Sequence, residues 1–150
     1  MPTSDQLLLD NQMCFALYSA SLTMTKVYKP LLQQFGLTYP QYLVMLVLWE
    51  QDARSVSEMG GRLFLDSGTL TPLLKRLEAL SFVTRTRDAA DERRVIVGLT
   101  PAGKRLQKQA LAIPQHVICA TECSLPELAS LTSQLGKLRA TLVRTITDNI

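Results

Sequence analysis

The amino-acid sequence predicts a mainly α chain with one small β-hairpin, in the order helix, helix, helix-turn-helix, hairpin, helix, helix. Three observations carry this reading. Helix-start signatures recur along the chain. A single pair of runs rich in β-branched residues flanks a charged segment. The basic residues crowd into the middle, leaving apolar helical stripes at both ends. With 150 residues, 47% of them hydrophobic and 19% charged, the chain has the size and composition of a single domain over 1–150 with one core.

Thr3 and Gln6 form a capping box, and the sequence to about Phe35 reads as one long helix, kinked at most by Pro30. Its apolar positions (Leu8, Phe15, Leu22, Val27, Leu31, Phe35) lie on more than one face, which points to a partner subunit. Gly36 closes it. Thr38 and Gln41 cap a second helix to about Gln51, with Pro40 in its first turn. Ser55 and Glu58 open a short helix through Leu63, and Asp66 or Ser67 caps the next, which carries Leu70, Leu73, Leu74, Leu77 and Leu80. Phe82 to Arg87 and Arg94 to Leu99 read as strands joined by Asp88 to Arg93. Thr100 and Pro101 start a helix that is expected to break or kink at Pro114. Ser124, Pro126 and Glu127 start the last helix, whose stripe runs Leu128, Leu131, Leu135, Leu138, Leu142, Ile146.

Several classes drop out. The longest uncharged run, between Lys29 and Glu50, is interrupted by Pro30, Gln33, Gln34, Gly36, Pro40 and Gln41 and predicts no membrane span. Asp5 and Asp10 around Leu7, Leu8 and Leu9 do not read as a signal peptide, so a cytoplasmic protein is expected. Three cysteines, Cys14, Cys119 and Cys123, fit reduced thiols better than a secreted disulfide framework. No cofactor is implied. His116, Cys119 and Cys123 share a helical face, yet structural zinc usually draws ligands from two separated pairs, and no metal site is assigned.

Between Arg62 and Lys108 stand ten basic residues against five acidic ones. That is a local charge of +5 in a chain of net charge +3, leaving −2 for the remainder. Such segregation suits a middle that meets a polyanion. A helix-turn-helix followed by a hairpin, here over 55–100, is a winged helix, in which the second helix enters the major groove of double-stranded DNA. Ser67, Thr69 and Thr71 open that helix with small polar side chains, and Lys75 and Arg76 add charge further along. Arg93 and Arg94 stand near the hairpin tip, where Asp91 is placed to hold the guanidinium of an arginine entering the minor groove. Lys104 adds a further phosphate contact.

The residues Leu65-Asp66-Ser67-Gly68-Thr69-Leu70-Thr71-Pro72-Leu73-Leu74-Lys75-Arg76-Leu77, Asp91-Glu92-Arg93-Arg94 and Leu99-Thr100-Pro101-Ala102-Gly103-Lys104 resemble the winged-helix core of the MarR family of bacterial repressors. Leu9-Asp10-Asn11-Gln12-Met13-Cys14-Phe15-Ala16-Leu17-Tyr18 and Leu37-Thr38-Tyr39-Pro40-Gln41-Tyr42 narrow the resemblance to the organic-hydroperoxide-sensing branch, the OhrR type. It covers nearly the whole chain. It implies a homodimer held by its first and last helices (1–36 and 101–150), an inverted-repeat operator, and release of DNA when a cysteine is oxidised.

From the residues alone, Cys14 shares a helical face with Tyr18, four positions on. The resemblance implies that tyrosines hydrogen-bond the reactive cysteine, and the matching positions are Tyr28 and Tyr39. Phe15, Leu17, Leu22 and Phe35 would suit an apolar organic hydroperoxide. Cys119 and Cys123 are four apart. The two-cysteine version that the sequence resembles places a resolving thiol in the helix after the wing, on the other subunit, which points to Cys119 with Cys123 as the alternative. Two competing readings are a MarR-type repressor released by a small phenolic ligand, and a thiol peroxidase. The second lacks the C-x-x-C pair and the βαβ pattern of a thioredoxin-like scaffold.

Overall fold

The computed structural model describes residues 4–149. Its helices are α1 (Met13–Gln33), α2 (Tyr39–Glu50), α3 (Val56–Leu63), α4 (Ser67–Ala79), α5 (Pro101–Ala110), α6 (Ala112–Thr121) and α7 (Leu125–Asp148). Its strands are β1 (Arg54–Ser55), β2 (Val83–Arg87) and β3 (Val95–Leu99). The described chain divides into two compact units, 4–113 and 114–149, with the boundary inside α6.

Local chemistry accounts for most helix starts. Thr38 and Gln41, Ser55 and Glu58, and Ser124 and Glu127 each form a reciprocal capping box, satisfying two orphan donors at α2, α3 and α7. At α4 the cap is Asp66 rather than Ser67: its Oδ1 accepts from the Thr69 amide at 2.7 Å. Thr100 caps α5 through the Gly103 amide at 3.0 Å.

The first unit is built around α2 and α4, whose Val44, Met45, Leu48, Leu70, Leu74 and Leu77 are fully buried. Leu32 of α1, Met59 of α3, Val83 of β2, Val97 of β3 and Leu106 of α5 close on them, one core continuous from helices to hairpin. β2 and β3 pair antiparallel from Val83 opposite Leu99 to Arg87 opposite Val95. α5 lies so close to the start of the hairpin that a Cβ added at Gly103 would come 2.1 Å from the Phe82 carbonyl oxygen, so only glycine fits there. Gly36 turns the chain between α1 and α2 at φ +71°.

In the second unit no residue of α7 is buried, and Leu131, Leu135, Leu142, Val143 and Ile146 are exposed along it. Phe15, Leu17 and Leu22 are exposed on α1. Two long helices with uncovered apolar faces are what a dimerising chain presents when taken singly.

Three expectations need correction. Thr3 lies outside the described residues, and α1 starts at Met13, after two single 3₁₀ turns at Asp5–Leu7 and Leu9–Asn11. Gln12 Nε2 donates to the carbonyls of Gln6 (2.7 Å) and Leu8 (3.0 Å), and Asn11 Nδ2 to that of Asp5 (2.8 Å). These side-chain donors take carbonyls that a continuous helix would use. The break after the hairpin falls at Leu111, before Pro114. The proline ring clashes with the carbonyl four residues back, so the helix ends at Ala110 and Pro114 is accommodated in the first turn of α6. The hairpin also has a third strand: β1 pairs with β3 through Arg54 opposite Val97 and Ser55 opposite Ile96. A two-residue strand is too short to show a period.

Candidate nucleic-acid interface and thiol sensor

Between the start of α4 and the hairpin lies a groove of about 390 Å³, lined by Ser57, Ser67, Thr71, Arg85, Arg93 and Arg94. Thr71 donates its hydroxyl to the Ser67 carbonyl at 2.7 Å, which leaves its oxygen free to accept. Ser67, Thr69, Lys75 and Arg76 are all exposed, and the Asp66 carboxyl at the cap is held below its usual range by the Thr69 hydrogen bonds. This end of α4 therefore presents small polar groups first and cations one turn later.

The two tip arginines have different jobs. Arg93 is the more exposed, its side chain 92% accessible, and Asp91 Oδ1 accepts from its Nε at 3.2 Å and from its amide at 3.1 Å. These contacts lower the Asp91 carboxyl and aim a guanidinium out from the hairpin. Arg94 turns the other way: its Nη2 meets Glu58 of α3 at 3.0 Å and its Nη1 lies 3.8 Å from Asp88, so it braces the hairpin against the helix-turn-helix. Arg85, one of the ten basic residues between Arg62 and Lys108, also lines the groove, held by Glu78 at 3.1 Å, and Ser57 joins it there. Neither is legible from the sequence, because strand β2 and the cap of α3 place them.

Cys14 is the second residue of α1. It is exposed, and its thiol makes no hydrogen bond to any described residue. Tyr18, on the same face, is 63% exposed and makes no hydrogen bond to the thiol. Tyr28 and Tyr39 meet each other, ring centroids 4.6 Å apart, and Tyr42 joins them at 5.7 Å from Tyr28 and 6.3 Å from Tyr39. Burial, with Tyr39 and then Tyr42 beside it, pushes the Tyr28 phenol up to about 12, and burial raises Tyr39 and Tyr42 too. All three stay protonated O–H donors at ordinary pH. Tyr42 was missed as a member, although the Tyr39-x-x-Tyr42 spacing puts both on one face of α2.

Tyr28 lies fourteen residues after Cys14 on the same helix, about 21 Å along its axis. Within one chain the helix holds the two apart. In the second unit Cys119 is exposed, with Gln115 Nε2 donating toward its sulfur at 3.7 Å. Cys123 is half-buried and donates its S–H to the Thr121 carbonyl at 3.4 Å. Among the described residues no group of three His, Cys, Asp or Glu side chains is placed to hold a metal ion, and no helix is long and apolar enough to cross a membrane.

Residues 26–110 match the family model described as transcriptional regulator SarA/Rot. The chain is 47% identical over 138 residues to an organic hydroperoxide resistance transcriptional regulator of Bacillus subtilis, covering 92% of this chain and 94% of that one. The chain belongs to the MarR-type winged-helix transcriptional regulators. Among solved structures it is similar to AbfR of Staphylococcus epidermidis. In the reduced, DNA-bound form of AbfR the identity is 35%, with 95% of this chain and 97% of that one covered and a TM-score of 0.81. In the disulfide-formed state the identity is 36%, with 96% of each chain covered and a TM-score of 0.61. These relatives are transcriptional regulators rather than enzymes.

Proposed function

We propose that this chain is a cytoplasmic, homodimeric DNA-binding repressor that grips an inverted-repeat operator and releases it when an organic hydroperoxide oxidises Cys14. The observation that carries the reading is the 47% identity, across nearly the full length of both chains, to a regulator of organic hydroperoxide resistance. The exposed polar start of α4 and the outward Arg93 support the DNA-binding half. The former would enter the major groove and the latter the minor groove.

The sensor half is supported by the separation of Cys14 from its own Tyr28 and by the bare apolar faces of α1 and α7. When two copies pair through these helices, the Cys14 of one chain meets the Tyr28 and Tyr39 phenols of the other. The Cys14 thiolate attacks one peroxide oxygen and the O–O bond breaks. The alkoxide leaves and takes up a proton as the alcohol, and Cys14 becomes a sulfenic acid. Protonated phenols beside that oxygen stabilise the developing charge. The Cys119 thiolate of the partner then attacks the sulfenic sulfur, expelling hydroxide that is protonated to water, and a disulfide joins the chains. Exposed Cys119 suits this role better than Cys123, whose S–H is already directed to a carbonyl.

The test is fluorescence anisotropy on DNA upstream of the gene at one stated salt concentration. It is run before and after one equivalent of hydroperoxide, for the parent, Cys14→Ser and Cys119→Ser. The expected result is tight binding that the parent alone loses through a covalent dimer on non-reducing gels, with Cys14→Ser indifferent. Binding that a phenolic ligand releases equally in the parent and Cys14→Ser would replace the redox reading.

A further inference from the structure

The turn between α3 and α4 places a bulky residue where the backbone favours glycine. The Leu65 amide donates to the Gly60 carbonyl at 3.0 Å, closing the turn that ends α3, and such a turn needs its preceding residue in the left-handed conformation. Glycine takes that place without steric cost, yet here it is Phe64, at φ +57° and ψ +39°. Among the described residues Ala53, Ser81 and Glu122 also have positive φ, and none of them carries a ring. A bulky side chain held in this region costs stability, so its presence asks for a use beyond the turn itself. Core packing does not supply that use: Phe64 is 56% exposed, a large apolar group in water next to exposed Asp66 and Ser67.

The position of the ring does supply one. Phe64 lines a shallow depression of about 520 Å³ together with Val56, Ser57 and Ser67. The same three residues also line the groove edged by Arg85, Arg93 and Arg94, so depression and groove are continuous. Asp66, which lines the depression too, is turned onto the Thr69 amide at 2.7 Å as the cap of α4. We propose that Phe64 is a DNA-contact residue whose ring packs on the nonpolar surface of a nucleotide, a deoxyribose or a thymine methyl, beside the groups that α4 brings to the major groove. This rests on the DNA-binding half of the reading above and adds a contact that no charge carries. A phenyl ring is suited to thymine methyl and sugar carbons, and covering its exposed part is worth about tenfold in affinity for each half-site. No cation takes part, so the contact displaces no counterion and leaves the salt dependence of binding as it was.

The experiment measures the affinity of the full-length, reduced protein for DNA upstream of the gene, by fluorescence anisotropy at several salt concentrations, for the parent, Phe64→Gly, Phe64→Asn and Phe64→Tyr. Glycine and asparagine accept the left-handed backbone, so both variants are expected to keep the parent's circular dichroism and a Tm within about 3 °C of it. Both should lose about tenfold to a hundredfold in affinity, since a dimer on two half-sites makes the contact twice, with the slope of log affinity against log salt unchanged. Phe64→Tyr should stay within about threefold of the parent. A duplex with deoxyuridine in place of thymine names the nucleotide surface. A penalty seen with the parent and absent with Phe64→Gly marks the thymine methyl, and an equal penalty in both marks the sugar. Folded Phe64→Gly and Phe64→Asn proteins that bind within about threefold of the parent, or whose loss comes with a reduced salt slope, overturn the proposal. Should either variant unfold, Phe64→benzoylphenylalanine decides: a photocrosslink to the duplex keeps the contact and its absence removes it. A parent that binds no DNA specifically removes the DNA-binding reading and this contact with it.

Discussion

Gly103→Ala tests whether the coupling of α5 to the hairpin is as tight as the geometry requires. A Cβ there would stand 2.1 Å from the Phe82 carbonyl oxygen, whereas real Cβ atoms essentially never approach within 3.0 Å, so backbone must move by about 0.9 Å. Two hydrogen bonds meet at this point. The Phe82 oxygen accepts from the Thr100 amide at 3.0 Å, and the Gly103 oxygen accepts from Trp49 Nε1 at 2.9 Å. Overpacking of this kind costs about 1–3 kcal/mol, and losing both hydrogen bonds about 1 kcal/mol each. The better helix propensity of alanine offsets about 1 kcal/mol. A net loss of about 3 kcal/mol lowers Tm by about 6–12 °C in a chain of this size. The assay is thermal unfolding followed by circular dichroism at one fixed protein concentration, since a dimer gains stability by mass action. Gly61→Ala is the control: it sits in α3 with nothing within 4 Å of the added carbon and should raise Tm by about 2–4 °C. A Gly103→Ala protein within 2 °C of the parent, or two variants moving the same way, refutes the reasoning.

The Tyr28 phenol, pushed up to about 12, keeps its proton in the native state while the unfolded chain loses it near 10. The stability it contributes is therefore complete below pH 10 and lost as pH rises through 12, and Tyr28→Phe should flatten that decline and remove the last component of tyrosinate absorbance. Ser55→Ala takes a buried hydroxyl from the capping box of α3, where it accepts from the Glu58 amide at 3.1 Å, and should cost about 1.5 kcal/mol in urea unfolding. Arg93→Ala should reduce the slope of log affinity against log salt by about 1 in operator binding while leaving Tm unchanged, because its side chain is 92% exposed and, among the described residues, is ion-paired only with Asp91. Leu135→Asp, on the bare face of α7, should convert the proposed dimer to monomer in sedimentation at micromolar concentration.

Where a feature depends on residues three or four apart, the chain states it openly. The capping pairs Thr38–Gln41, Ser55–Glu58 and Ser124–Glu127 are local contests between side chain and backbone, decided before any packing. The hairpin is equally plain, because its strands adjoin in sequence. What stayed hidden depends on topology. Arg94 braces Glu58 from 36 residues away, and β1 exists because β3 offers it an edge. The helix expected ahead of Met13 gives way to two 3₁₀ turns for a different reason: Asn11 and Gln12 satisfy backbone carbonyls with side-chain donors, a competition that propensity alone does not resolve.

The proposed sensor is the extreme case of this division. Its cysteine and tyrosines are each legible as residues, but α1 holds Cys14 and Tyr28 about 21 Å apart, a separation a rigid helix cannot shorten. Tyr28 is instead committed to Tyr39 and Tyr42 on α2, in a cluster that burial keeps protonated. Among the described residues of one chain, the Cys14 thiol thus has no hydrogen-bond donor and the clustered phenols have no thiol beside them. The apolar faces of α1 and α7 supply the physical reason for two chains to meet, and an antiparallel pairing of α1 helices would bring each half to its complement. On that reading reactivity and assembly are one property. A monomer would hold a bare thiol, and only the dimer that can span two operator half-sites would also own a thiol set to respond to the peroxide that removes it from DNA.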